Sequence, residues 1–293
     1  MIIINLKTKL ENYSKQGETT KFKNTYNEIK DFLENSINKE LYDFEIYLQG
    51  SYVNNTNIQD DSDVDIVIEL KSIFSYDIEN LNEDERKEFY SKFSNATIKL
   101  EEFQKHIKSL LDKSKYHYKE KSKCLKIVSG TSLNADLIIC NSFRKYTKYP
   151  DFNKGIYLKD NTKSIKSFPK IHKENMETKN AHAKLFKPTV RIFKNFKIEL
   201  INNHYFPKND ISSYFVESLL FNVPENLFQE KNDEKRVLDI CNYLLDKNTD
   251  LKTFLTPCGQ KKLFGLTENQ WTSNNAKKFI SYIKYFIMEN SNA

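Results

Sequence analysis

Two short motifs carry residue types that can bind phosphate groups and metal ions. Gly50-Ser51 is followed, after eleven intervening residues, by Asp63-Val64-Asp65. A glycine turn that offers a serine hydroxyl and backbone N–H groups at the start of a helix suits a phosphate. Side chains alternate between the faces of a strand, so Asp63 and Asp65 should point from the same face. Two carboxylates beside a phosphate site indicate a magnesium-dependent enzyme that acts on nucleotides.

The residues around these aspartates indicate an interior strand. Residues 44–49 and 63–70 predict two strands, and the second continues after Asp65 as Ile-Val-Ile-Glu-Leu, which is mostly apolar on both faces. Aspartates that enter such a strand are costly unless they are paired or bind a metal ion. The alternative is an exposed strand edge with solvated aspartates. Asp60 and Asp61 lie in the preceding loop, where we expect solvated side chains or a supporting role.

A third carboxylate follows on a later predicted strand. Asp136 is the acidic residue in an otherwise apolar run within residues 132–143. A two-metal site needs about three carboxylates to hold two ions some 3.5–4 Å apart. Two carboxylates on one strand and one on a neighbour would meet that need. The alternative for Asp136 is an acid at a strand edge that is hydrogen-bonded to a turn.

Composition indicates a soluble chain with a substantial core. The chain has 293 residues, of which 39% are hydrophobic and 29% charged. No apolar run approaches the roughly 20 residues of a membrane span, and the short apolar N-terminus lacks a cleavage site, so we expect a cytoplasmic protein without membrane contacts. The cysteines lack the spacing of a disulfide framework or a zinc ribbon. They are Cys124, Cys140, Cys241 and Cys258.

Positive charge is concentrated in one part of the chain. Residues 113–197 hold 21 Lys and Arg against 6 Asp and Glu, a net charge of +15, within a chain whose net charge is +6. This basic segment could neutralise triphosphates or bind a polyanion such as RNA. The alternative is a solvated, lysine-rich surface, since the whole chain is biased toward lysine.

The elements that must position these residues form a mixed α+β pattern. Periodicity predicts helices over 3–14, 18–36 and 83–112, then strands over 119–128 and 132–143. Residues 150–180 resemble a connector with one short strand, 155–158. From Asn180 the pattern is helical to the end of the chain. One further helix is predicted to run to about residue 201, with Pro188 near its start. Others are predicted over 211–222, 233–247 and 274–289.

These motifs together resemble a known family. Gly50-Ser51, Asp63-x-Asp65 and Asp136 are similar to the fingerprint of nucleotidyltransferases with a polymerase-beta-type core. Further segments resemble the bacterial cGAS/DncV-like nucleotidyltransferases (CD-NTases), most of all their E clade. Those segments are residues 50–58, 168–172, 174–180, 190–195 and 213–224.

The resemblance implies a fold and an activity. It implies a nucleotidyltransferase core with N-terminal helices over residues 1–175, a helical C-terminal domain over 176–293, and an active-site cleft between them. It also implies that the enzyme joins NTPs into a cyclic di- or trinucleotide second messenger, which reaches a downstream effector in antiphage defence. Two magnesium ions are the implied cofactors, with manganese as an alternative.

The resemblance also implies roles for individual residues. Asp63, Asp65 and Asp136 resemble the catalytic magnesium ligands, and Ser51, with Gly50 in the same turn, resembles the serine that holds the donor triphosphate.

Further roles fall in the C-terminal half of the chain. Lys194 resembles a lysine that neutralises the triphosphate, Ser213 a second phosphate contact, and Tyr214 an aromatic residue that stacks on a base. Lys194 could instead be an ordinary helix lysine, and Tyr214 a core residue.

Base recognition is predicted from position. Residues 175–180 follow the core sheet and precede the helical domain, so they should line the cleft. An asparagine amide both donates and accepts hydrogen bonds, so Asn180 or Asn175 could read the edge of a base. The alternative is that both asparagines cap or turn the backbone.

Two other functions stay open at this point. One is a nucleotidyltransferase with a linear product, such as an RNA-tailing or oligoadenylate-type enzyme; no motif indicates RNA, although the basic segment permits it. The other is a catalytically dead RNA-binding module, against which the three aspartates argue. The chain lacks the zinc-ligand cluster of the animal relative, so double-stranded DNA is not an expected partner.

Overall fold

A computed structural model describes residues 5–58, 63–94, 96–159, 164–207, 210–267 and 270–291. Asp60 and Asp61 lie outside the described residues. The chain forms two compact units. We call one the sheet unit, which comprises Glu18–Val53 and Asp60–Ile171. We call the other the helical unit, which comprises Met1–Gly17, Asn54–Gln59 and His172–Ala293.

The sheet unit contains a mixed sheet to which seven strands of the described residues contribute. The strand order is β1-β2-β5-β4-β3, and β6 pairs with both β5 and β7. Strands β2 and β5 are parallel neighbours, whereas the other pairs are antiparallel. The strands are β1 (Phe44–Leu48), β2 (Val64–Asp77), β3 (His117–Glu120), β4 (Leu125–Ser129), β5 (Ala135–Tyr146), β6 (Phe152–Lys159) and β7 (Ser164–Ser167).

Apolar side chains on both faces of β2 and β5 place these two strands in the interior of the sheet. Val64, Ile66 and Ile68 belong to a large buried cluster on one face, and Val67 belongs to a smaller cluster on the other. The sequence predicts this because β2 is apolar at consecutive positions rather than at alternate ones. The interior strands therefore provide a rigid base for any residue at their starting edge.

Ten α-helices lie within the described residues. In the sheet unit, α5 packs on the larger cluster through Phe103 and Ile107. The helices are α1 (Leu6–Ser14), α2 (Thr20–Ser36), α3 (Gly50–Val53), α4 (Glu83–Ser91), α5 (Leu100–Asp112), α6 (Pro169–His182), α7 (Phe186–Asn202), α8 (Ser213–Phe221), α9 (Asp233–Leu245) and α10 (Ser273–Asn290).

One core cluster unites the helical unit. Buried residues of α7, α8, α9 and α10 belong to it, and so do Leu6 and Leu10 of α1. The predicted domain boundaries place residues 1–14 with the core sheet, whereas the structure packs α1 with the C-terminal helices. The physical reason is that Leu6 and Leu10 lie one helical turn apart and form an apolar stripe that this core accepts.

Three predicted elements are wrong in their extent. The predicted helix over 83–112 is two helices, α4 and α5, because serine and threonine near residues 94–97 are weak helix formers that favour turns. The predicted strand over 119–128 is instead the β3–β4 hairpin, which turns at 121–124. The predicted connector over 150–180 contains two strands and most of α6, which runs from Pro169 to His182. Pro169 is preorganised for a first helical turn.

The predicted α+β fold class is confirmed. Pro188 lies in the first turn of α7, where its missing N–H is not needed. Within the part of the chain that the structure describes, no helix combines the length and apolar character needed to cross a membrane.

Candidate active site

The glycine turn lies directly against one of the aspartates. Gly50 has a φ of 78°, in the left-handed region that glycine adopts without strain. A Cβ atom at this position would overlap the carboxylate of Asp65. Tyr52, two residues later, stacks on Phe22 with ring centroids 4.2 Å apart and fixes the short helix α3. Gly50 is therefore required both by the backbone conformation and by the close approach of Asp65.

The strand register gathers the charged residues on one face. Asp65 of β2 lies opposite Asp136 of β5, and Asp136 lies opposite Lys126 of β4. Asp63 immediately precedes β2 and accepts a hydrogen bond from the Lys126 ammonium. Since residues paired across strands point to the same side of a sheet, the three aspartates and Lys126 form one charged row.

The electrostatics of this row leave Asp136 undercompensated. Its Oδ1 atom is buried and has no hydrogen-bond partner among the described residues. Burial raises the pKa of Asp136, and the negative charge of Asp63 raises it further. Burial, together with Asp136 and Asp65, also raises the pKa of the neighbouring Cys124 to about 12. Lys126, Cys124 and Lys121 lower the pKa of Asp136 but do not cancel these effects.

These residues fit a bound cation. Within the described residues, no three His, Cys, Asp or Glu side chains converge closely enough to count as a ready-made metal site. However, Asp136 carries a buried oxygen that needs a positive partner, and Lys126 already places an ammonium on Asp63. Carboxylate oxygens are the ligands that Mg²⁺ prefers. The donor set therefore suits a hard divalent cation.

Lys194, in the helical unit, is an internal ion-pair partner. Its side chain is buried, and its ammonium contacts Glu217 and donates to the backbone oxygen and the hydroxyl of Thr56, each at 3.1 Å. Burial alone would raise the pKa of Glu217, but Lys194 and His172 outweigh it and hold the pKa well below its usual range. These contacts occupy the Lys194 ammonium, whereas the sequence predicts that this group neutralises the triphosphate.

Ser213 and Tyr214 begin helix α8. The Lys197 ammonium donates to the Ser213 hydroxyl at 2.7 Å, so this lysine and serine form one polar group. Tyr214 is 41% exposed and has His172 on one side, with ring centroids 5.4 Å apart, and Trp271 nearby at 5.9 Å. Tyr214 is therefore a partly exposed member of an aromatic group at the start of α8.

Sequence reasoning missed two basic residues near the predicted ones. Lys197 lies one helical turn after Lys194 on α7, so the spacing could have revealed it as an equally placed candidate. Lys126 was one lysine among many in the basic segment. Only the β4–β5 register shows that it faces Asp136.

The two asparagines predicted to read a base make backbone contacts. The Asn175 amide donates to the Pro257 oxygen at 2.7 Å, and the Asn180 oxygen accepts from the Lys187 N–H at 3.4 Å. The Asn175 contact is a normal hydrogen bond, whereas the Asn180 contact is long. Asn175 is thereby fixed more firmly than Asn180.

The structure thus collects the predicted residues in two groups. The sheet unit holds the turn and the carboxylates, and the helical unit holds the basic, hydroxyl, aromatic and amide candidates. The first group is Gly50, Ser51, Asp63, Asp65 and Asp136, and the second is Lys194, Ser213, Tyr214 and Asn180.

The fold and the carboxylate row define a class of protein. Residues 29–159 match the nucleotidyltransferase domain, so the chain is a nucleotidyltransferase. Enzymes of this class generally use divalent metal ions. Residues 174–288 match the C-terminal helical domain of cGAS/DncV-like nucleotidyltransferases.

Full-length relatives define the family more narrowly. The chain is 36% identical to the cyclic nucleotide synthase CdnE01 of Staphylococcus haemolyticus, over 95% of this chain and 97% of that one. It is 34% identical to the cyclic UMP-AMP synthase of Rhodothermus marinus, over 94% and 95% of the two chains. The chain therefore belongs to the cGAS/DncV-like nucleotidyltransferase family.

Solved structures agree with this assignment. The Rhodothermus marinus CdnE c-UMP-AMP synthase, solved with Apcpp and Upnpp, matches with a TM-score of 0.86 and 32% identity over 97% of this chain and 96% of that chain. The CdnE cyclic dinucleotide synthase of Elizabethkingia meningoseptica, solved with GTP and Apcpp, matches with a TM-score of 0.75 and 25% identity over 96% and 98%.

Proposed function

We propose that this enzyme joins two NTPs into a cyclic dinucleotide that acts as a second messenger. The observation that carries the proposal is the row of Asp63, Asp65 and Asp136 beside the Gly50 turn, in a chain that is 34–36% identical to cyclic nucleotide synthases over nearly its full length. By the same relationship, the product would reach a downstream effector in antiphage defence.

Asp63, Asp65 and Asp136 would hold two magnesium ions, with manganese as a substitute. When bound, such ions lower the pKa of an attacking hydroxyl and stabilise a leaving pyrophosphate. The three carboxylates supply the negative charge that attracts these ions. The buried Oδ1 of Asp136, without a partner among the described residues, is the atom with the most to gain from a cation.

The remaining residues would bind and orient the nucleotides. Ser51 and the backbone N–H groups after Gly50 would hold the donor triphosphate. Lys197 and Ser213 offer a second phosphate contact, because the ammonium and the hydroxyl already lie together on the structure's partly exposed surface. We assign this role to Lys197 in preference to Lys194, whose ammonium is buried against Glu217. Tyr214 would stack on a base.

Asp136 would also act on the acceptor. By analogy with the family, its carboxylate would lie on the acceptor side and take a proton from a ribose hydroxyl. The hydroxyl oxygen attacks the α-phosphorus of the donor, the bond to the β-phosphate oxygen breaks, and pyrophosphate leaves. The same step, repeated within the linear dinucleotide, closes the ring and releases a second pyrophosphate.

The choice of bases differs among the relatives of this chain. Relatives are named for different pairs, including UMP with AMP, two purines, and two pyrimidines. We propose UTP and ATP as the first substrates to test, because the cyclic UMP-AMP synthase is 34% identical to this chain over 94% of its length.

Product analysis tests the proposal. The protein is incubated with four labelled NTPs and magnesium, treated with phosphatase, and the resistant products are identified by mass spectrometry. We expect a product of two nucleotides that resists phosphatase, because a ring has no terminal phosphate. A phosphatase-sensitive product would establish the linear-product alternative, and absence of pyrophosphate release would favour the RNA-binding module. Asp65→Asn, assayed in parallel, identifies turnover by a contaminant.

A further inference from the structure

The segment between the two motifs is anchored by buried polar residues. Residues 54–58 follow the Ser51 turn along the chain and precede Asp63, yet they belong to the helical unit. Asn54, Thr56 and Asn57 are almost completely buried. Asn55 has a φ of 55°, a left-handed conformation that asparagine adopts more readily than most residues other than glycine. Whatever fixes this segment therefore limits the positions open to the chain on either side of it.

Charged residues of α7 and α8 hold this segment, beside the hydrogen bonds that Gln16 and Gly17 donate to Asn55 and Asn57. The Thr56 hydroxyl donates to Glu217 Oε1, and Lys194 donates to the Thr56 backbone oxygen at 3.1 Å. Arg191, one turn before Lys194, donates to the Asn55 backbone oxygen at 2.6 Å. These contacts come from charged residues that are themselves buried or half-buried, so they are expensive to lose.

The segment does not satisfy its own polar groups. Asn54 Oδ1 and Asn57 Nδ2 are buried without hydrogen-bond partners among the described residues. Buried polar atoms of this kind disfavour the observed position unless other contacts outweigh their cost. The charged contacts from Glu217, Lys194 and Arg191 supply that compensation.

Glu217 also reaches the tyrosine of the helical unit through a second partner. Its Oε2 atom lies 3.5 Å from His172 Nε2, and the His172 ring stacks against Tyr214. One buried carboxylate thus contacts the segment that follows Ser51 on one side and the ring that backs Tyr214 on the other.

We propose that Glu217 is a positioning residue that holds the 54–58 segment, and the His172–Tyr214 stack, in the arrangement needed for nucleotide binding. This inference rests on the function proposed above. Glu217 itself is buried and touches no substrate in this assignment; it acts through Thr56 and His172. Lys194 completes the group by neutralising Glu217.

Threonine variants test the first contact without removing a charge. Thr56→Val keeps the shape but removes the hydroxyl that Glu217 accepts from, and Thr56→Ser restores the hydroxyl. We expect Thr56→Val to lower kcat/KM about tenfold, chiefly through a higher KM for the donor NTP, and Thr56→Ser to recover most of the loss. Amide hydrogen exchange in residues 54–58 should be faster in Thr56→Val than in Thr56→Ser.

Thr189→Val provides the matched control. Thr189 is a fully buried threonine of α7 whose hydroxyl accepts from Arg236 and donates to the Leu185 backbone oxygen. Its loss should lower stability while changing kcat/KM less than about twofold. Equal loss of activity in Thr189→Val and Thr56→Val, each assayed while fully folded, would overturn the positioning role.

A double variant tests Glu217 directly. Two double variants remove the buried charges of Lys194 and Glu217. Lys194→Met/Glu217→Gln keeps an acceptor for the Thr56 hydroxyl, whereas Lys194→Met/Glu217→Leu does not. We expect the glutamine form to bind a non-hydrolysable NTP analogue about tenfold more tightly than the leucine form. Equal affinities would overturn the inference. Failure of the unaltered protein to make cyclic product would instead contradict the proposed function, so the two failures are distinguishable.

Discussion

Two groups of carboxylates and lysines in this protein use the same chemistry in opposite ways. In the sheet unit, burial and Asp63 raise the pKa of Asp136, and one of its oxygens has no partner among the described residues. In the helical unit, Glu217 is more deeply buried, yet Lys194 and His172 hold its pKa well below the usual range. The buried Asp136 oxygen of the first group has no partner among the described residues, whereas the charge of Glu217 in the second group is compensated by Lys194 and His172.

The difference separates binding from positioning. A buried charge that lacks compensation favours a ligand of opposite sign, and a compensated charge favours a fixed structure. The carboxylate row is therefore the part of the molecule whose properties should change most when a divalent ion and nucleotide bind. The Glu217 group should change least, because its contacts are already made.

The largest expected effect is loss of activity in the carboxylate row. Asp63→Asn or Asp65→Asn should reduce product formation on the order of a thousandfold, because each removes a charge that would hold the metal ions. The variants should stay folded, because each removes one of several neighbouring negative charges that repel one another. Product formation is measured by mass spectrometry at saturating magnesium, with the exposed Asp84→Asn as the control. Near-normal turnover in either variant would remove that residue from the site.

The second prediction concerns stability in the Glu217 group. Glu217→Ala leaves the buried Lys194 ammonium without its charged partner and should cost about 3–5 kcal/mol in the free energy of unfolding. Lys194→Met/Glu217→Leu should recover most of that loss, because no buried charge remains. Urea unfolding of both variants measures the difference. Equal stability of Glu217→Ala and Lys194→Met/Glu217→Leu would show that Lys194 and Glu217 do not compensate each other's charge.

Part of the carboxylate row can be predicted from the sequence, because side chains alternate between the two faces of a strand. The common face of Asp63 and Asp65 follows from the two-residue period of a strand, and Asp136 follows from a single acid in an apolar run. Lys126 could not be predicted, because it enters the row only through a hairpin that the sequence pattern merges into one strand.

The sequence does not distinguish the two lysines of α7 that could bind a phosphate. Lys194 and Lys197 lie three residues apart on one side of α7, so periodicity alone does not say which is buried. The choice is made by Glu217 and Thr56, which come from distant parts of the chain. Charge pairing over such sequence distances has no local signal.

The third prediction separates these two lysines. Lys197→Met should lower kcat/KM ten- to a hundredfold, since a charge-assisted hydrogen bond to phosphate is worth about 1.5–3 kcal/mol. Its unfolding free energy should change little, because the side chain is only half-buried. Steady-state kinetics with each NTP, beside urea unfolding, measure both quantities. The exposed Lys277→Met serves as the control. Unchanged kinetics in Lys197→Met would return the phosphate role to another residue.

The fourth prediction uses pH to distinguish the groups. The pKa of Asp136 is higher in the folded protein than in the unfolded chain. As the pH falls, the folded protein therefore protonates Asp136 first, and at neutral pH the ionised Asp136 lowers the free energy of unfolding. Asp136→Asn should therefore be more stable than the unaltered protein at pH 7 without divalent ions, and the advantage should shrink as Asp136 becomes protonated.

Glu217 has the opposite sign. Its lowered folded pKa gives stability above the unfolded value near 4.5 that is lost as the pH falls toward the folded value. Urea unfolding followed from pH 7 to well below pH 4 covers both effects, and Asp84→Asn should show neither. A destabilised Asp136→Asn variant at pH 7 would mean that Asp136 is compensated after all.

The smallest expected effect is on base choice. Asn180 makes a long contact of 3.4 Å to the Lys187 N–H, whereas Asn175 donates to the Pro257 oxygen at 2.7 Å. An amide held weakly by the backbone has more to gain from the edge of a base, so Asn180→Ala should shift the ratio of incorporated bases about two- to tenfold, the range of one neutral hydrogen bond. Asn175→Ala should lower stability and leave the ratio unchanged. Competition among equimolar NTPs measures the ratio directly, and an equal ratio in both variants would leave Asn180 with a structural role alone.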